Sequence, residues 1–182
     1  MNMFKKLFSL AWMLIVFSGI KAQMFSTSTG NVSFYSKTPL EDIAAVNTQV
    51  LGVLTIKRDV AVAITNTQFE FPNKLMQEHF NEKYVESEKF PKSTFKGKIN
   101  EEIDLTKDGE YKVTVTGKLN IHGVEQLRTI PGTLSIKSGN IRFQSNFKVK
   151  NVDHNIEIPT VVMAKIQEEI DVKVDILLAL KK

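Results

Sequence analysis

The feature that most constrains the fold is a period-two alternation of apolar and polar residues that runs through most of the chain. Its clearest instance is EIDVKVDILLAL (169–180), where Ile170, Val172, Val174 and Ile176 alternate with charged residues. A strand with one buried and one solvated face produces this period, whereas an amphipathic helix repeats every 3.6 residues. The chain is therefore predicted to be mainly antiparallel β-sheet.

Turn signals separate the alternating runs and predict about eight strands in mostly hairpin order. Asp-Gly at 108–109 and Ser-Gly-Asn at 138–140 are typical of tight turns. A change of parity by Phe69 and Phe71 predicts a bulge or a strand end there. The predicted strands are less regular runs between Val32 and Ile64, followed by 94–103, 110–121, 125–136, 140–149 and 169–180.

One segment has helical spacing instead. In NKLMQEHFNEKY (73–84) the apolar and aromatic residues recur at three- and four-residue intervals, with charged residues between them. Asn73, directly after Pro72, is a typical helix start. A shorter second helix is predicted within 159–167.

Eight antiparallel strands in one domain can close into an up-and-down barrel or pack as a sandwich. The barrel is favoured because closure removes exposed sheet edges, and a barrel of this strand number can hold one small ligand, as lipocalins do. The predicted class is all-β, an eight-stranded antiparallel lipocalin-like β-barrel with one or two short helices. The sandwich remains the alternative.

Residues 1–22 differ from the rest and are predicted to be a secretory signal peptide. Lysines precede an apolar run, Leu7 to Ile20, that ends near small residues. That run is shorter than the ~20 residues that a membrane-spanning helix needs. An uncleaved anchor is the alternative, and the cleavage position, after Ala22 or Gln23, stays open. Residues 23–182 would form the barrel domain, exported to the periplasm or the extracellular space.

Charge and cysteine content exclude several functional classes. The formal net charge of +4 falls to +1 without residues 1–22, because that segment carries three lysines and no acid. With so little basic excess, no nucleic-acid partner is predicted. The chain has no cysteine, which excludes disulfides, a thiol nucleophile and thiolate metal sites.

The three histidines, His79, His122 and His154, are too far apart in sequence to form a known zinc motif. There is also no Gly-x-Ser-x-Gly elbow and no glycine-rich phosphate loop. We therefore predict no catalytic residue, no metal and no cofactor. If its strand is regular, His122 faces away from the apolar interior. Because Gly123 follows it, we expect His122 to lie at a hairpin end and to order that end by hydrogen bonding.

Nine phenylalanines follow residue 24, several on the apolar parity of predicted strands. In a sandwich they would fill the core, whereas in a barrel some would line an elongated apolar cavity. Gly97, Gly117 and Gly132 lie inside predicted strands, where glycine provides bends or room for a ligand.

Three segments together resemble the YceI family: FPKSTFKGKI (90–99), GKLNIHGVEQLRTIPGTL (117–134) and FKVKNVDHNIEIP (147–159). The resemblance covers Phe25 to Leu180 and implies an extended lipocalin-like barrel, secreted or periplasmic, that encloses polyisoprenoid-type molecules without established catalytic residues. The helical region resembles that of Bacteroidetes-type members. The first strand, TGNVSFYSK, lacks the His-Ser pair that many relatives carry, so ligand identity transfers least well.

The leading hypothesis is a non-enzymatic protein that binds a long-chain isoprenoid or other lipid inside the barrel. An envelope structural or protein-interaction module with a packed barrel is the alternative, and an enzyme would need polar groups clustered in the cavity. The oligomeric state stays open, a homodimer included. The candidate cavity residues are Phe95, Val113, Val115, Leu119, Phe143, Phe147, Val172 and Val174, and the head-group candidates are Arg58, Arg128 and Arg142.

Overall fold

The computed structural model describes residues 24–181, and the predicted signal peptide, residues 1–22, lies outside the described residues. Eight strands form one closed antiparallel barrel in which each strand pairs with its neighbours in the chain and the last pairs with the first. The predicted eight-stranded barrel is thus confirmed. The strands are β1 (Met24–Lys37), β2 (Asp42–Thr55), β3 (Asp59–Thr65), β4 (Lys92–Ile99), β5 (Gly109–Ile121), β6 (Val124–Lys137), β7 (Asn140–Lys150) and β8 (Glu169–Leu180).

The predicted helix lies between β3 and β4. Helix α1 spans Lys74–His79 and continues as a π-helical turn over Phe80–Tyr84. The Asn73 side chain caps it, because its Oδ1 accepts a hydrogen bond from the Leu75 N–H at 2.9 Å. Instead of the second predicted helix, a 3₁₀ turn forms over Thr160–Lys165. Across residues 24–181, no helix is both long and apolar enough to span a membrane.

The two ends of the barrel differ because the two longest connections, 66–91 and 151–168, lie on one side. We call this side the helical end; it carries the connections 38–41, 66–91, 122–123 and 151–168. The opposite side, the terminal end, carries Met24, Leu180 and the connections 56–58, 100–108 and 138–139. Among the largest fully buried side chains, Leu54, Ile99, Leu134 and Ile141 lie in the half of the barrel near the terminal end. This half, which we call the packed half, therefore holds the most deeply buried side chains, and Leu54, Ile99 and Leu134 among them also line the cavity of the barrel.

One predicted strand limit was wrong. β4 ends at Ile99 and not at residue 103. Beyond it, the Glu101 carboxylate accepts hydrogen bonds from the Thr114 N–H and hydroxyl, both at 2.8 Å, so a side chain replaces the backbone ladder. The parity change at Phe69 follows the end of β3 at Thr65, where a 3₁₀ turn begins.

The pairing of β4 with β5 depends on two glycines that lie directly opposite each other, Gly97 and Gly117. A Cβ atom on Gly117 would lie 2.5 Å from the Cα of Gly97 and would overlap the carbonyl of Lys96. These strands therefore approach more closely than side chains would permit. The two glycines allow a tight contact in the wall instead of making room for a ligand.

The contact between β6 and β7 is paired along only part of its length. The backbone ladder joins Thr133–Lys137 to Asn140–Gln144 and stops near Pro131, which has no N–H to donate. Beyond that point side chains connect the strands: the Ser145 hydroxyl donates to the Pro131 carbonyl at 2.5 Å, and the Arg128 guanidinium donates to the Lys148 carbonyl at 2.6 Å. We call this unpaired half the β6–β7 seam.

Candidate ligand-binding cavity

An apolar cavity of about 460 Å³ occupies the barrel interior. Along β8 its wall includes every second residue from Ile170 to Leu178, a length of roughly 26 Å at 3.3 Å per residue. The period-two pattern of the sequence thus places one face of the strand on the cavity, and the shape is elongated.

Seven of the eight candidate cavity residues lie on the wall of this cavity. They are Phe95, Val115, Leu119, Phe143, Phe147, Val172 and Val174. Val113 is buried but does not line the cavity. It pairs with Gly132 near the start of β5, and its side chain packs within the hydrophobic core.

Sequence reasoning missed a cluster of four phenylalanines that lines the cavity near the helical end. Phe34, Phe69, Phe71 and Phe80 come from β1, from the segment after β3, and from the turn after α1, and the contacting rings have centroids 5.1–5.7 Å apart. Aromatic packing of this kind fastens the helical segment to the barrel. The alternation in Phe69-Glu70-Phe71 and the parity of Phe34 were the available signals.

Polar lining residues gather where the cavity reaches the helical end. Glu41 and Lys165 form an ion pair with an oxygen–nitrogen distance of 3.7 Å, and Tyr84 lines the same region. The backbone of Glu41 is held in the β1–β2 turn, where the Thr38 hydroxyl donates to its carbonyl at 3.0 Å. Burial, and next the negative charge of Glu41, raises the pKa of the Tyr84 hydroxyl. We call Glu41, Tyr84 and Lys165 the mouth triad.

The three arginines offered as head-group candidates lie outside the cavity wall. Arg58 bonds the Glu101 carbonyl and pairs with Glu102, and Arg128 pairs with Asp153 in addition to its seam contact. Arg142 forms a two-pronged pair with Asp175 at 2.6 and 2.7 Å, which lowers the pKa of that carboxyl. Their side chains therefore connect neighbouring strands and loops on the outer surface of the barrel.

His122 occupies the turn between β5 and β6 and does not continue the strand. Its φ of 53° and the φ of 75° at Gly123 place both central residues of the turn in the left-handed region, as in a type I′ hairpin. A Cβ atom on Gly123 would overlap the ring of Phe90, whose centroid lies 4.7 Å from that of His122. The ring packs against Phe90 and does not line the cavity, and because His122 lies in the turn, the orientation expected for a regular strand does not apply to it.

The His122 ring bridges two other connections at the helical end. Its Nδ1 lies 3.1 Å from the carbonyl oxygen of His154, and its Nε2 lies 2.6 Å from a carboxylate oxygen of Glu86. The bond to His122 lowers the pKa of the Glu86 carboxyl. This histidine thus orders the hairpin and also ties the end of the helical connection and the β7–β8 connection to it.

We expect His122→Asn to lower the free energy of unfolding by about 1–3 kcal/mol, because the backbone carbonyl of the buried residue His154 loses its hydrogen-bond donor. Asparagine tolerates positive φ, so the turn itself is retained. Urea denaturation followed by circular dichroism measures the effect. The control is Lys118→Ala, which removes the exposed Lys118–Glu125 pair of the same hairpin and should cost at most about 1 kcal/mol. Equal losses in both variants would contradict the bridging role.

His154 is fully buried beneath the same turn. Its Nδ1–H donates to the Val124 carbonyl at 3.1 Å, and its Nε2 is buried without a hydrogen-bond partner among residues 24–181. Burial lowers the pKa of this imidazole. Burial therefore disfavours protonation of this ring in the folded protein.

Acidification is expected to destabilise the fold through His154. Because its folded-state pKa is depressed, the unfolded chain binds the extra proton, and stability falls once the pH drops below the ordinary histidine pKa of about 6.5. Binding of one extra proton by the unfolded chain changes the free energy of unfolding by at most about 1.4 kcal/mol per pH unit. Denaturation of the wild type and of His154→Gln between pH 7 and 5 tests this. A variant with the same slope as the wild type would contradict it.

Within residues 24–181 no three histidine or acidic side chains lie close enough together to hold a metal ion. The cavity wall is formed mainly by aliphatic and aromatic groups, with the mouth triad at one end. The arrangement is suited to enclosing a long apolar molecule.

Comparison with known proteins places the chain in a family. The model of the YceI-like domain matches residues 12–178. The chain belongs to the YceI family. The Bacteroidetes-type assignment within the YceI family stays a prediction. No curated protein matches the chain.

Solved structures of YceI-like proteins share this fold. A polyisoprenoid binding domain from Saccharophagus degradans, implicated in plant cell wall breakdown, superposes with a TM-score of 0.76 at 14% identity, covering 88% of this chain and 100% of that one. BcnA of Burkholderia cenocepacia superposes with a TM-score of 0.69 at 19% identity, covering 82% of this chain and 96% of that one. The YCEI protein of Campylobacter jejuni superposes with a TM-score of 0.55 at 22% identity, covering 68% of this chain and 72% of that one. At these identities the likeness concerns the YceI fold alone.

Proposed function

We propose that this protein is an exported, non-enzymatic binding protein that holds one long apolar lipid, of the polyisoprenoid type, inside the barrel. The observation that carries the proposal is the elongated apolar cavity of about 460 Å³. In a packed structural module, the alternative considered above, side chains would fill this space. Export to the periplasm or the extracellular space is part of the proposal and rests on the signal-like residues 1–22.

The driving force is the removal of a hydrocarbon chain from water, about 0.8 kcal/mol for each buried CH₂ group before entropic costs. Micromolar affinity corresponds to about 8 kcal/mol, which a chain of many methylene groups can exceed. Membership in the YceI family and the likeness to a domain described as polyisoprenoid binding support the same class of ligand.

Native extraction tests the proposal. The full chain is expressed with its leader, the exported protein is purified and extracted with organic solvent, and the extract is analysed by mass spectrometry. We expect an isoprenoid or similar long-chain lipid at close to one molecule per protein. A clean extract, together with no uptake of added lipids by the purified protein, would overturn the proposal.

A further inference from the structure

The mouth triad combines the charges of the cavity wall in one place. Among the described lining residues, Glu41 is the only acid and Lys165 is the only lysine or arginine. They lie on different connections, the β1–β2 turn and the 3₁₀ turn before β8, and pair at 3.7 Å. The cation at the mouth is therefore already neutralised by a carboxylate.

Deeper polar groups of the cavity wall are occupied by the protein itself. The Asn66 amide donates to the Phe90 carbonyl at 2.7 Å and accepts from the Ser93 hydroxyl at 2.8 Å. The Asn151 amide donates to the Gln167 carbonyl at 3.1 Å, and the Gln167 N–H donates to the Ser36 hydroxyl at 2.9 Å. Polar recognition of a ligand therefore falls to the mouth triad together with His79 and Asn73, which also line the cavity.

An anionic head group would find a poor environment there. It would meet the Glu41 carboxylate, which repels it, and a Lys165 ammonium whose charge is offset. The three arginines pair with acids on the outer surface and lie outside the wall. A hydroxyl or carbonyl head group, in contrast, can donate to Glu41 or accept from Lys165 or Tyr84 without an unpaired charge.

We propose that the mouth triad selects an uncharged, hydrogen-bonding head group, such as the hydroxyl of a long isoprenoid alcohol, and that Glu41 excludes the multiply anionic head group of the corresponding diphosphate. This inference rests on the proposed function, because it assigns the polar end of the same ligand. The apolar chain lies along the cavity towards the packed half, and the head group lies at the helical end.

The test compares two probes that differ only in the head group, an all-trans polyprenol and the diphosphate of the same chain length. Uptake by the purified protein is measured at low salt and at 1 M salt. We expect the wild type to bind the alcohol at least about tenfold more tightly than the diphosphate, and we expect high salt to reduce the difference. Glu41→Gln should reduce the preference for the alcohol over the diphosphate, and Glu41→Lys should reverse that preference.

Asp42→Asn is the matched control, because it also removes one negative charge next to position 41. Asp42 accepts a hydrogen bond from the Tyr35 hydroxyl at 2.8 Å and does not line the cavity. Its variant should keep the wild-type preference. Equal wild-type affinity for both probes, or a preference for the diphosphate, would overturn this inference and leave the proposed function standing. Uptake of neither probe nor of other lipids would overturn both.

Discussion

Val115→Trp is expected to lower the affinity for lipid about a hundredfold while leaving the barrel folded. Val115 lies on β5 with its side chain on the cavity wall, opposite Ile99 of β4 and Ile130 of β6. An indole at this position projects into a cavity of about 460 Å³ and takes space that the ligand chain would fill. Displacing three or four methylene groups costs about 2.4–3.2 kcal/mol, which lowers the affinity on the order of a hundredfold.

The new indole also reports on its surroundings, because residues 24–181 contain no tryptophan. Its emission should be that of an apolar environment, and circular dichroism should show an unchanged β spectrum. Lys118→Trp is the matched control: the same side chain is inserted three residues later on an exposed position of β5. It should bind lipid as the wild type does. Full uptake by Val115→Trp would mean that the ligand does not occupy the cavity.

Gly117→Ala is expected to be among the most destabilising single substitutions in the chain. The added methyl group would press on backbone atoms of β4, the Lys96 carbonyl and the Cα of Gly97, and backbone cannot move aside as a side-chain tip can. Overpacking typically costs about 1–3 kcal/mol, and we expect a value at or above the top of that range. Thermal and urea denaturation of purified protein, or a loss of soluble protein, measures the effect.

Gly52→Ala is the control for this substitution. Gly52 lies inside β2, and a Cβ atom there would have its nearest neighbours at 3.3 Å, the methyl groups of Ile176 and Thr27. Small shifts of these side chains accommodate it, so the cost should stay below about 1 kcal/mol. A Gly117→Ala protein as stable as Gly52→Ala would show that β4 and β5 do not require this close approach.

The barrel was predictable because period two is a local property of the sequence. The alternation within β4, β5, β7 and β8 identifies which residues face inward, and seven of eight candidates lie on the cavity wall for that reason. Val113 obeys the same parity, but the pattern does not show which inward-facing side chains border empty space. Whether an inward residue lines a cavity or a packed core depends on all eight strands together.

The mouth depends on long-range contacts that no local pattern reveals. Phe69 and Phe71 face the cavity because Glu70 between them makes a two-residue bridge to Val46, with N–O distances of 2.8 and 3.0 Å. Glu41 and Lys165 meet only because two separate connections lie at the same end. For the arginines, the sequence shows a charge but not its partner, and each acidic partner comes from another part of the chain.

The β6–β7 seam has a consequence for how the barrel can change over evolutionary time. Backbone hydrogen bonds between two strands form with almost any side chains, so exchanging one amino acid changes their strength little. Along the seam, contact depends on the side chains of Arg128 and Ser145, which single substitutions can lengthen, shorten or remove. Single substitutions along the seam can therefore change the separation of β6 and β7, next to the cavity residues Ile130, Phe147 and Val149.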